Sequence, residues 1–296
     1  MIIPHAMLQD AVTPAIGTIA MLQDAATPAT GIIDVSWTDL ALSFALILVA
    51  IGVSRWRSLD LERGFVVGAI RAVVQLVAVG YILVYIFAVD QWWLVLLALA
   101  VMLLSATQAA SRRARGRKPL RNDRKMLWKI SGTSMLVGSG LTLAFVTQVL
   151  LRVEPWYEPQ YLIPLFGMIV GNAMNATALA AERLASELES QRGQVEAYLA
   201  LGATPARAAA EPERRAMTAA LIPTINGLMT VGLVSLPGMM TGQILAGVSP
   251  LLAIRYQIVV MFMLVGATAL TTAAVVLWYR RTFFTPAAQL SIRVPV

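Results

Sequence analysis

The sequence predicts an all-α integral membrane protein with seven transmembrane helices, an outside N-terminus and a cytoplasmic C-terminus. Hydrophobic residues make up 58% of the 296 positions and charged residues only 13%, whereas soluble domains carry about 25% charged residues. Seven stretches are long and apolar enough to cross a hydrocarbon layer of about 30 Å. Basic residues cluster on alternate loops between these stretches, which fixes the orientation.

The seven predicted spans are separated by short polar or charged segments. They cover residues 37–55, 64–87, 91–110, 126–151, 160–181, 217–237 and 251–279. With the N-terminus outside, the inner loops are 56–63, 111–125, 182–216 and the C-terminal tail. These loops and their borders hold 20 of the 23 Lys and Arg residues, and residues 111–125 alone hold eight. The positive-inside rule therefore supports a multi-pass protein of the inner (plasma) membrane.

The chain divides into three regions. Residues 1–36 form an extramembrane tail with a 14-residue tandem duplication, in which AMLQDAVTPAIGTI is followed by AMLQDAATPATGII. Residues 37–285 form the transmembrane domain, including a cytoplasmic segment at 182–216, and residues 286–296 form a cytoplasmic tail. The net charge of +7 is typical of loops that face anionic lipid, so we expect membrane lipid and no nucleic acid as a partner.

The sequence lacks the residues that several kinds of binding and catalytic site require. There is no cysteine, and the single histidine, His5, lies in the N-terminal tail, so a thiolate or imidazole metal site is excluded within the spans. No glycine precedes Lys118, Lys125 or Lys129, so the chain has no phosphate-binding P-loop. The sequence therefore predicts a protein that is not an enzyme and binds no cofactor itself; whether it has a metal site stays unknown.

The cytoplasmic segment carries signals for two helices joined by a sharp turn. The fifth span is predicted to continue as a helix beyond Ala181, and a further helix ends at Gly202, a residue suited to a left-handed cap. Thr204 then offers an N-cap and Pro205 a first helical residue. Pro212 is expected to interrupt the second helix before the sixth span. A plain solvated loop is the alternative, but such loops rarely combine glycine and proline signals that start and end helices.

These residues resemble a known family. Glu196-Ala197, with Gly202 six positions after the glutamate, resembles the EAA-type cytoplasmic loop of ABC-transporter permeases. The wider run EAYLALGATPARAA, with residues 214–262 beginning RRAMTAALIPTING, resembles the FetB-type iron-export permeases and the membrane subunits of plant aluminium-resistance transporters. The resemblance covers about residues 38–285 and leaves out the duplicated tail.

The resemblance implies a permease subunit that a separate ATPase drives. Its coupling helix would dock on an ABC ATPase subunit that binds ATP-Mg, and a homodimer with two ATPase copies is the simplest assembly. Tyr198, Leu199 and Leu201 would fill the ATPase groove, with Glu196, Arg192 and Arg207 as a polar rim. The coupling residues are therefore Glu196, Ala197, Tyr198, Leu199, Leu201, Gly202 and Arg207.

Polar residues and helix breaks within the spans are candidates for the transport pathway or gate. They are Arg71, Gln75, Asn172, Asn175, Asn226, Pro237, Gly238, Met239, Met240 and Gln243. Arg71 faces either the pathway and dimer axis or carbonyls of a neighbouring helix. The asparagines line a path or bond to a neighbour, and the stretch 235–243 is a gate-like element or an ordinary outer turn.

The cargo is open at this point. Iron, or another metal-related solute, is implied by the resemblance alone, since ferrous iron favours carboxylate or imidazole ligands. The arginines suit an anionic conjugate or a sugar nucleotide as well. The alternative to an ABC permease is an ATP-independent secondary transporter or channel, although no intramembrane acidic residue for ion coupling is evident.

Overall fold

The computed structural model describes residues 36–113 and 123–291, and their regular structure is helical, with two isolated bridges. The duplicated tail, most of the basic loop 111–125 and the last five residues lie outside the described residues. The helices are α1 (Trp37–Trp56), α2 (Glu62–Val89), α3 (Trp92–Arg113), α4 (Asp123–Phe145), α5 (Pro159–Ser190), α6 (Arg192–Ala200), α7 (Pro205–Ala208), α8 (Ala210–Thr230), α9 (Gly238–Leu245) and α10 (Pro250–Arg280). A π-helical turn, Val146–Leu150, extends α4, and a 3-10 turn, Arg281–Phe283, follows α10.

Six of the described helices are long and apolar enough to cross a membrane: α1, α2, α3, α4 with its π-turn, α5 and α10. They match six of the predicted spans to within a few residues, and α5 continues well past Ala181, as expected. The all-helical, multi-pass membrane fold is therefore confirmed.

The predicted span 217–237 is the exception. It falls on α8, which ends at Thr230, where a turn closed by a bond from the Gly232 amide to the Ser235 carbonyl begins. After the charged residues Glu211–Arg215, α8 has 15 residues left, or about 22 Å at 1.5 Å per residue. That length is short of about 30 Å of hydrocarbon. Seven spans, and the orientation that depends on them, stay predictions.

The described residues form two compact units. One contains residues 36–88 and 237–257; the other contains 89–113, 123–236 and 258–291. In the first unit, α1 begins with a capping box, in which Ser36 Oγ accepts from the Asp39 amide and the Asp39 carboxylate accepts from the Ser36 amide. Apart from the buried Ile86 on α2 and Ser54 on α1, these two helices are exposed along most of their length.

The second unit is a packed bundle. Helix α5 lies against α3, α4 and α8, and α3 also packs on α4. Small residues permit the close approach: a Cβ atom on Gly167 of α5 would lie 2.9 Å from the Met102 methyl of α3. Such small-residue contacts are the usual means of packing helices in a membrane, where apolar area alone gives no preference for protein over lipid.

Candidate functional site

The coupling segment, residues 182–216, forms the two-helix turn that the sequence predicts. Helix α6 ends next to Gly202, whose φ of +84° is left-handed, a conformation that glycine adopts without a Cβ penalty. Thr204 caps α7, its hydroxyl accepting from the Arg207 amide at 3.4 Å, and Pro205 is the first residue of α7. The turn between α6 and α7 is therefore specified by local sequence.

One predicted boundary is wrong. The break before α8 falls at Ala209, which adopts a non-helical conformation between α7 and α8, and not at Pro212. Pro212 lies buried in the first turn of α8, where a helix has no internal acceptor for the backbone N–H that proline lacks. Pro212 is therefore part of α8 rather than a helix break.

An apolar cluster anchors the coupling segment to the bundle. Leu184 and Leu188 of α5, Val195 of α6 and Ala208 and Ala209 beside them are all buried in one cluster. The same cluster includes Ile130 of α4, Ala216 and Ala220 of α8, and Val275 and Val276 of α10. Because this cluster joins α6 to α4, α5 and α10, a displacement of α6 would press on helices long enough to cross a membrane.

The predicted docking side chains do not all face outward. Leu201 is 85% exposed and Tyr198 is 45% exposed, so both are free to contact another protein. Leu199, by contrast, is half-buried and packs against the apolar cluster. On the outer side of α6, the Arg192 Nε atom lies 2.7 Å from the Glu196 carboxylate, and both side chains are more than 40% exposed.

An open cleft of about 400 Å³ lies beside these residues, between α6 and the start of α8. Its lining includes Gln191, Gln194, Tyr198, Arg207, Glu211 and Arg214. Glu211 accepts from Arg215 Nε at 2.8 Å and from Arg214 Nε at 3.0 Å. These hydrogen bonds, from Arg215 first and then Arg214, lower the pKa of the Glu211 carboxyl. The cleft wall therefore carries a fixed carboxylate between arginines.

A second carboxylate, which the sequence gives no signal for, ties the segment to the last transmembrane helix. Arg280 at the end of α10 donates to Glu213 of α8 at 2.7 Å, and both side chains are mostly buried. Burial raises the pKa of the Glu213 carboxyl, and the hydrogen bond from Arg280 opposes that shift. Since the two residues are 67 positions apart, their pairing follows only from the fold.

The pathway and gate candidates have different surroundings. Asn175 on α5 accepts from Arg113 at the end of α3 at 2.7 Å, so its amide joins two helices. Asn172 donates to the carbonyl of Met168 within α5, and Asn226 is exposed on α8. Arg71 and Gln75 are exposed on α2, one helical turn apart.

The predicted helix break near residue 237 is confirmed, because α8 has ended and Pro237 precedes α9. Gly238, Met239 and Met240 form the first turn of α9, and the side-chain amide oxygen (Oε1) of Gln243 is buried without a hydrogen-bond partner among the described residues. The gate role of this stretch stays a prediction. Within residues 36–113 and 123–291, no cluster of three or more His, Cys, Asp or Glu side chains is arranged to hold a metal ion.

Comparison with known families identifies the family of this chain. The profile described as "Uncharacterised protein family (UPF0014)" matches residues 37–284, which is nearly the whole transmembrane domain. The chain belongs to the UPF0014 family. The match begins where the duplicated tail ends, in agreement with the limits of the resemblance found in the sequence.

Relatives from bacteria and plants are similar over most of their length. A UPF0014 membrane protein of Synechocystis is 41% identical over 88% of this chain and 98% of its own. The protein named "Probable iron export permease protein FetB" of Escherichia coli is 40% identical, over 86% of this chain and 94% of its own. "Protein ALUMINUM SENSITIVE 3" of Arabidopsis thaliana is 38% identical, over 86% and 89%. No solved structure matches this chain.

These findings confirm the resemblance to FetB-type permeases and the assignment to a family of multi-pass membrane permeases.

Proposed function

We propose that this UPF0014 protein is the membrane-spanning permease subunit of an ABC transporter, energised by a separate ATPase subunit that docks on the coupling segment. The observation that supports it best is the geometry of α6 and α7. The turn presents Tyr198 and Leu201 outward while Leu184, Leu188 and Val195 hold its inner side in the bundle. A rigid anchor behind an exposed apolar tip suits the transfer of force from a partner.

The charged residues beside α6 would make this surface selective for one partner. The side chains of Arg192 and Glu196 on α6 are 41% and 47% exposed, and Arg207 on α7 is exposed. These charges flank the apolar tip along the chain, which fits the apolar centre and polar rim that protein interfaces use. A partner groove would bury Leu201 and the Tyr198 ring and meet these charges at its edge. The ATPase would bind ATP-Mg, and this chain would bind no nucleotide.

The simplest assembly is a homodimer with two ATPase subunits in the inner membrane, because alternating access needs two membrane halves around one path. The proposed topology has seven spans, with α8 and the turn after it as the sixth, an outer N-terminus and a cytoplasmic C-terminus. The positive-inside distribution of Lys and Arg supports this orientation.

The proposed cargo is iron or another metal-related solute, moved outward. Its support is the name of the Escherichia coli relative. An anionic conjugate or a sugar nucleotide is the second candidate, because Arg71 on α2 offers a cation at the depth of a span.

A charge placed on the docking tip tests the proposal. We expect Leu201→Asp to weaken ATPase binding about 30-fold, the loss that removing a well-buried interface anchor causes. Leu59→Asp is the matched control, since Leu59 is 52% exposed and lies in the inner loop 56–63, outside the spans. Each variant is co-expressed with the ABC ATPases of its genome in turn, and the bound ATPase is measured after affinity purification.

ATP-driven uptake into inverted vesicles then separates the alternatives. The vesicles are supplied with ferrous iron, with other divalent metals or with a glutathione conjugate, and uptake is compared with and without ATP. Equal ATPase recovery from Leu201→Asp and Leu59→Asp would contradict docking at this tip. Full transport by the chain without any ATPase would instead favour a secondary transporter or channel.

A further inference from the structure

Helix α5 exposes polar side chains within the part of the chain that is expected to cross the membrane. Between residues 160 and 181 its aliphatic side chains are all buried or half-buried. The exposed positions are Gln160, Tyr161, Pro164, Asn172 and Asn175. On α10, by contrast, the exposed positions between 258 and 277 are Ile258, Phe262, Leu270 and Leu277. The outer side of α5 therefore has the opposite polarity to that of a helix that faces lipid.

The exposed residues of α5 share one side of the helix. At about 100° per residue, Tyr161, Pro164, Asn172 and Asn175 fall within an arc of about 80°, and the half-buried Met168 lies in the same arc. These five residues define the polar face of α5. From residue 161 to residue 175 the face extends about 21 Å along the helix, which is most of the thickness of a bilayer core.

Lipid cannot satisfy the two asparagines of the polar face. Asn172 donates to the Met168 carbonyl of its own helix at 2.9 Å, and Asn175 accepts from an Nη atom of Arg113 on α3 at 2.7 Å. The Asn172 oxygen and the Asn175 amide hydrogens have no partner within residues 36–113 and 123–291. Amide groups in hydrocarbon need hydrogen bonds, so polar side chains in a span face protein or water.

A dry contact with a second copy of the chain suits this face poorly, because of Arg113. The arginine is exposed, and among the described residues no carboxylate forms an ion pair with it. In a two-fold dimer the same face meets itself, so two guanidinium groups would enter one contact without a counter-charge. Burial of an unpaired charge is unfavourable. Water between the two faces removes this cost, as in a path between two membrane halves.

The groups at the inner end of the polar face are suited to an anion. A guanidinium binds carboxylate or phosphate oxygens through paired N–H groups, and the Asn175 amide adds further donors. The bond to Asn175 also holds Arg113 in place, which lowers the cost of ordering it when a ligand binds. Glu182, the next charged residue on this side of α5, lies about 10 Å further along the helix. The described residues hold no cluster of ligands for a bare metal ion.

We propose that the polar face of α5 is each subunit's wall of the aqueous path, and that Arg113, Asn172 and Asn175 bind the cargo there as an anion with carboxylate or phosphate oxygens. A metal would then cross as an anionic chelate rather than as a bare ion. This inference rests on the proposed function, since it names the chemical class of the permease's cargo.

Thiol labelling tests whether the polar face meets water, because the chain has no cysteine of its own. Single cysteines replace Asn172 and Asn175. Matched controls replace Leu136 of α4 and Leu270 of α10, which are 55% and 50% exposed and lie at a similar distance from the inner ends of their predicted spans. Inverted vesicles that contain the full chain with its ATPase are exposed to the anionic reagent sulfonatoethyl methanethiosulfonate. Labelling in denaturing detergent confirms that every thiol is present and reduced.

We expect the cysteines at positions 172 and 175 to react about tenfold faster than the controls, because the thiolate is the reactive form and apolar surroundings suppress it. Equal rates would overturn the aqueous wall. ATPase recovery is measured on the same vesicles. Equal rates with the ATPase bound overturn this inference alone, whereas fast labelling with no ATPase bound overturns the ABC assignment and leaves the aqueous face standing.

The charge of Arg113 is tested in the Asn172→Cys variant. The ratio of the labelling rates of the anionic reagent and its cationic trimethylammonium-ethyl counterpart reports the local potential. We expect Arg113→Gln to lower this ratio about fivefold and Arg113→Lys to preserve most of it. Arg112→Gln is the matched control, since it removes the neighbouring exposed arginine of α3, and it should change the ratio little. Equal ratios for Arg113→Gln and Arg112→Gln would overturn the role of Arg113.

Protection from labelling identifies the anion. Citrate and inorganic phosphate are added separately to Asn172→Cys vesicles, and potassium chloride at the same ionic strength controls for screening. We expect at least one of the two anions to slow labelling about tenfold at saturation, and Arg113→Gln to remove this protection. Protection by citrate alone indicates a carboxylate cargo, and protection by phosphate alone a phosphorylated one. No protection by either anion would overturn the anion site.

Discussion

Apolar residues have different surroundings in two regions of the molecule. One region is helices α1 and α2, and the other is the bundle of α3, α4, α5 and α8. The most apolar stretch of α2 has only 6% of its residues buried, whereas that of α5, less apolar in sequence, has 56% buried. Apolar character therefore predicts entry into the membrane but not burial in protein. In the bundle, small and hydroxyl-bearing residues are among the buried ones, and such residues allow helices to pack closely.

Helix α2 also differs from the bundle in where its polar side chains lie. Arg71 and Gln75 are exposed on this helix within an apolar stretch, where a charge costs about 2.5 to 3.5 kcal/mol on insertion scales. The bundle, by contrast, places its arginines at helix ends, where Arg113 and Arg280 meet Asn175 and Glu213. This contrast supports a second copy of the chain, rather than lipid, as the neighbour of Arg71 in the proposed dimer.

The largest expected effect comes from truncating leucines in the two regions. Leu184→Ala on α5 removes a fully buried side chain from the apolar cluster and should destabilise the protein by about 3 kcal/mol. Leu76→Ala on α2 removes a side chain that is 73% exposed. We expect the melting temperature in detergent to fall clearly for the first variant and little for the second. Equal losses would show that α2 is as tightly packed in the purified assembly as α5.

Glycine substitutions should give effects of opposite sign. Gly138→Ala forces a Cβ against the Thr271 backbone, which cannot shift cheaply, and overpacking of this kind costs about 1 to 3 kcal/mol. Around Gly80 of α2 a Cβ atom would meet nothing within 4 Å, so Gly80→Ala should stabilise the helix by about 0.5 to 1 kcal/mol. Thermal unfolding of both variants checks this. A destabilised Gly80→Ala would indicate a close neighbour from another chain.

A smaller effect on stability should depend on pH, through the mostly buried carboxyl of Glu213 on α8. Burial raises the pKa of Glu213 above its ordinary 4.5, so the folded state takes up the proton more readily than the unfolded state. The contribution of Glu213 to stability is therefore greatest below pH 4.5, the unfolded value, and is lost as the pH rises through the higher folded pKa.

The variant Glu213→Gln cannot titrate and serves as the reference. We expect the melting temperature of the wild type, relative to this variant, to increase as the pH falls from 7 towards 4.5. Glu211→Gln is the matched control on the same helix, and its difference should move in the other direction, because hydrogen bonds from Arg215 and Arg214 lower the pKa of Glu211. A pH-independent difference for Glu213→Gln would show that the carboxyl is not shifted.

Much of the fold and part of the site could be predicted from the sequence, and the reasons are local. Gly202, Thr204 and Pro205 specify their turn through backbone conformation and capping, which depend on a few neighbouring residues. Length and apolar content located six of the spans. Span 217–237 is not confirmed, because hydropathy does not register where a helix ends, and α8 ends at Thr230. The inward packing of Leu199 could not be predicted either, since α6 has apolar residues on more than one side.

The sequence by itself determined that this chain enters a membrane, which loops carry its positive charge, where the turn between α6 and α7 lies, and which family it resembles. These properties sum over composition or depend on neighbours along the chain. Only the tertiary structure decided that Leu199 packs inward and that Glu213 pairs with Arg280. Those contacts join residues far apart in sequence, and their partners are fixed by helix packing, which no local pattern records.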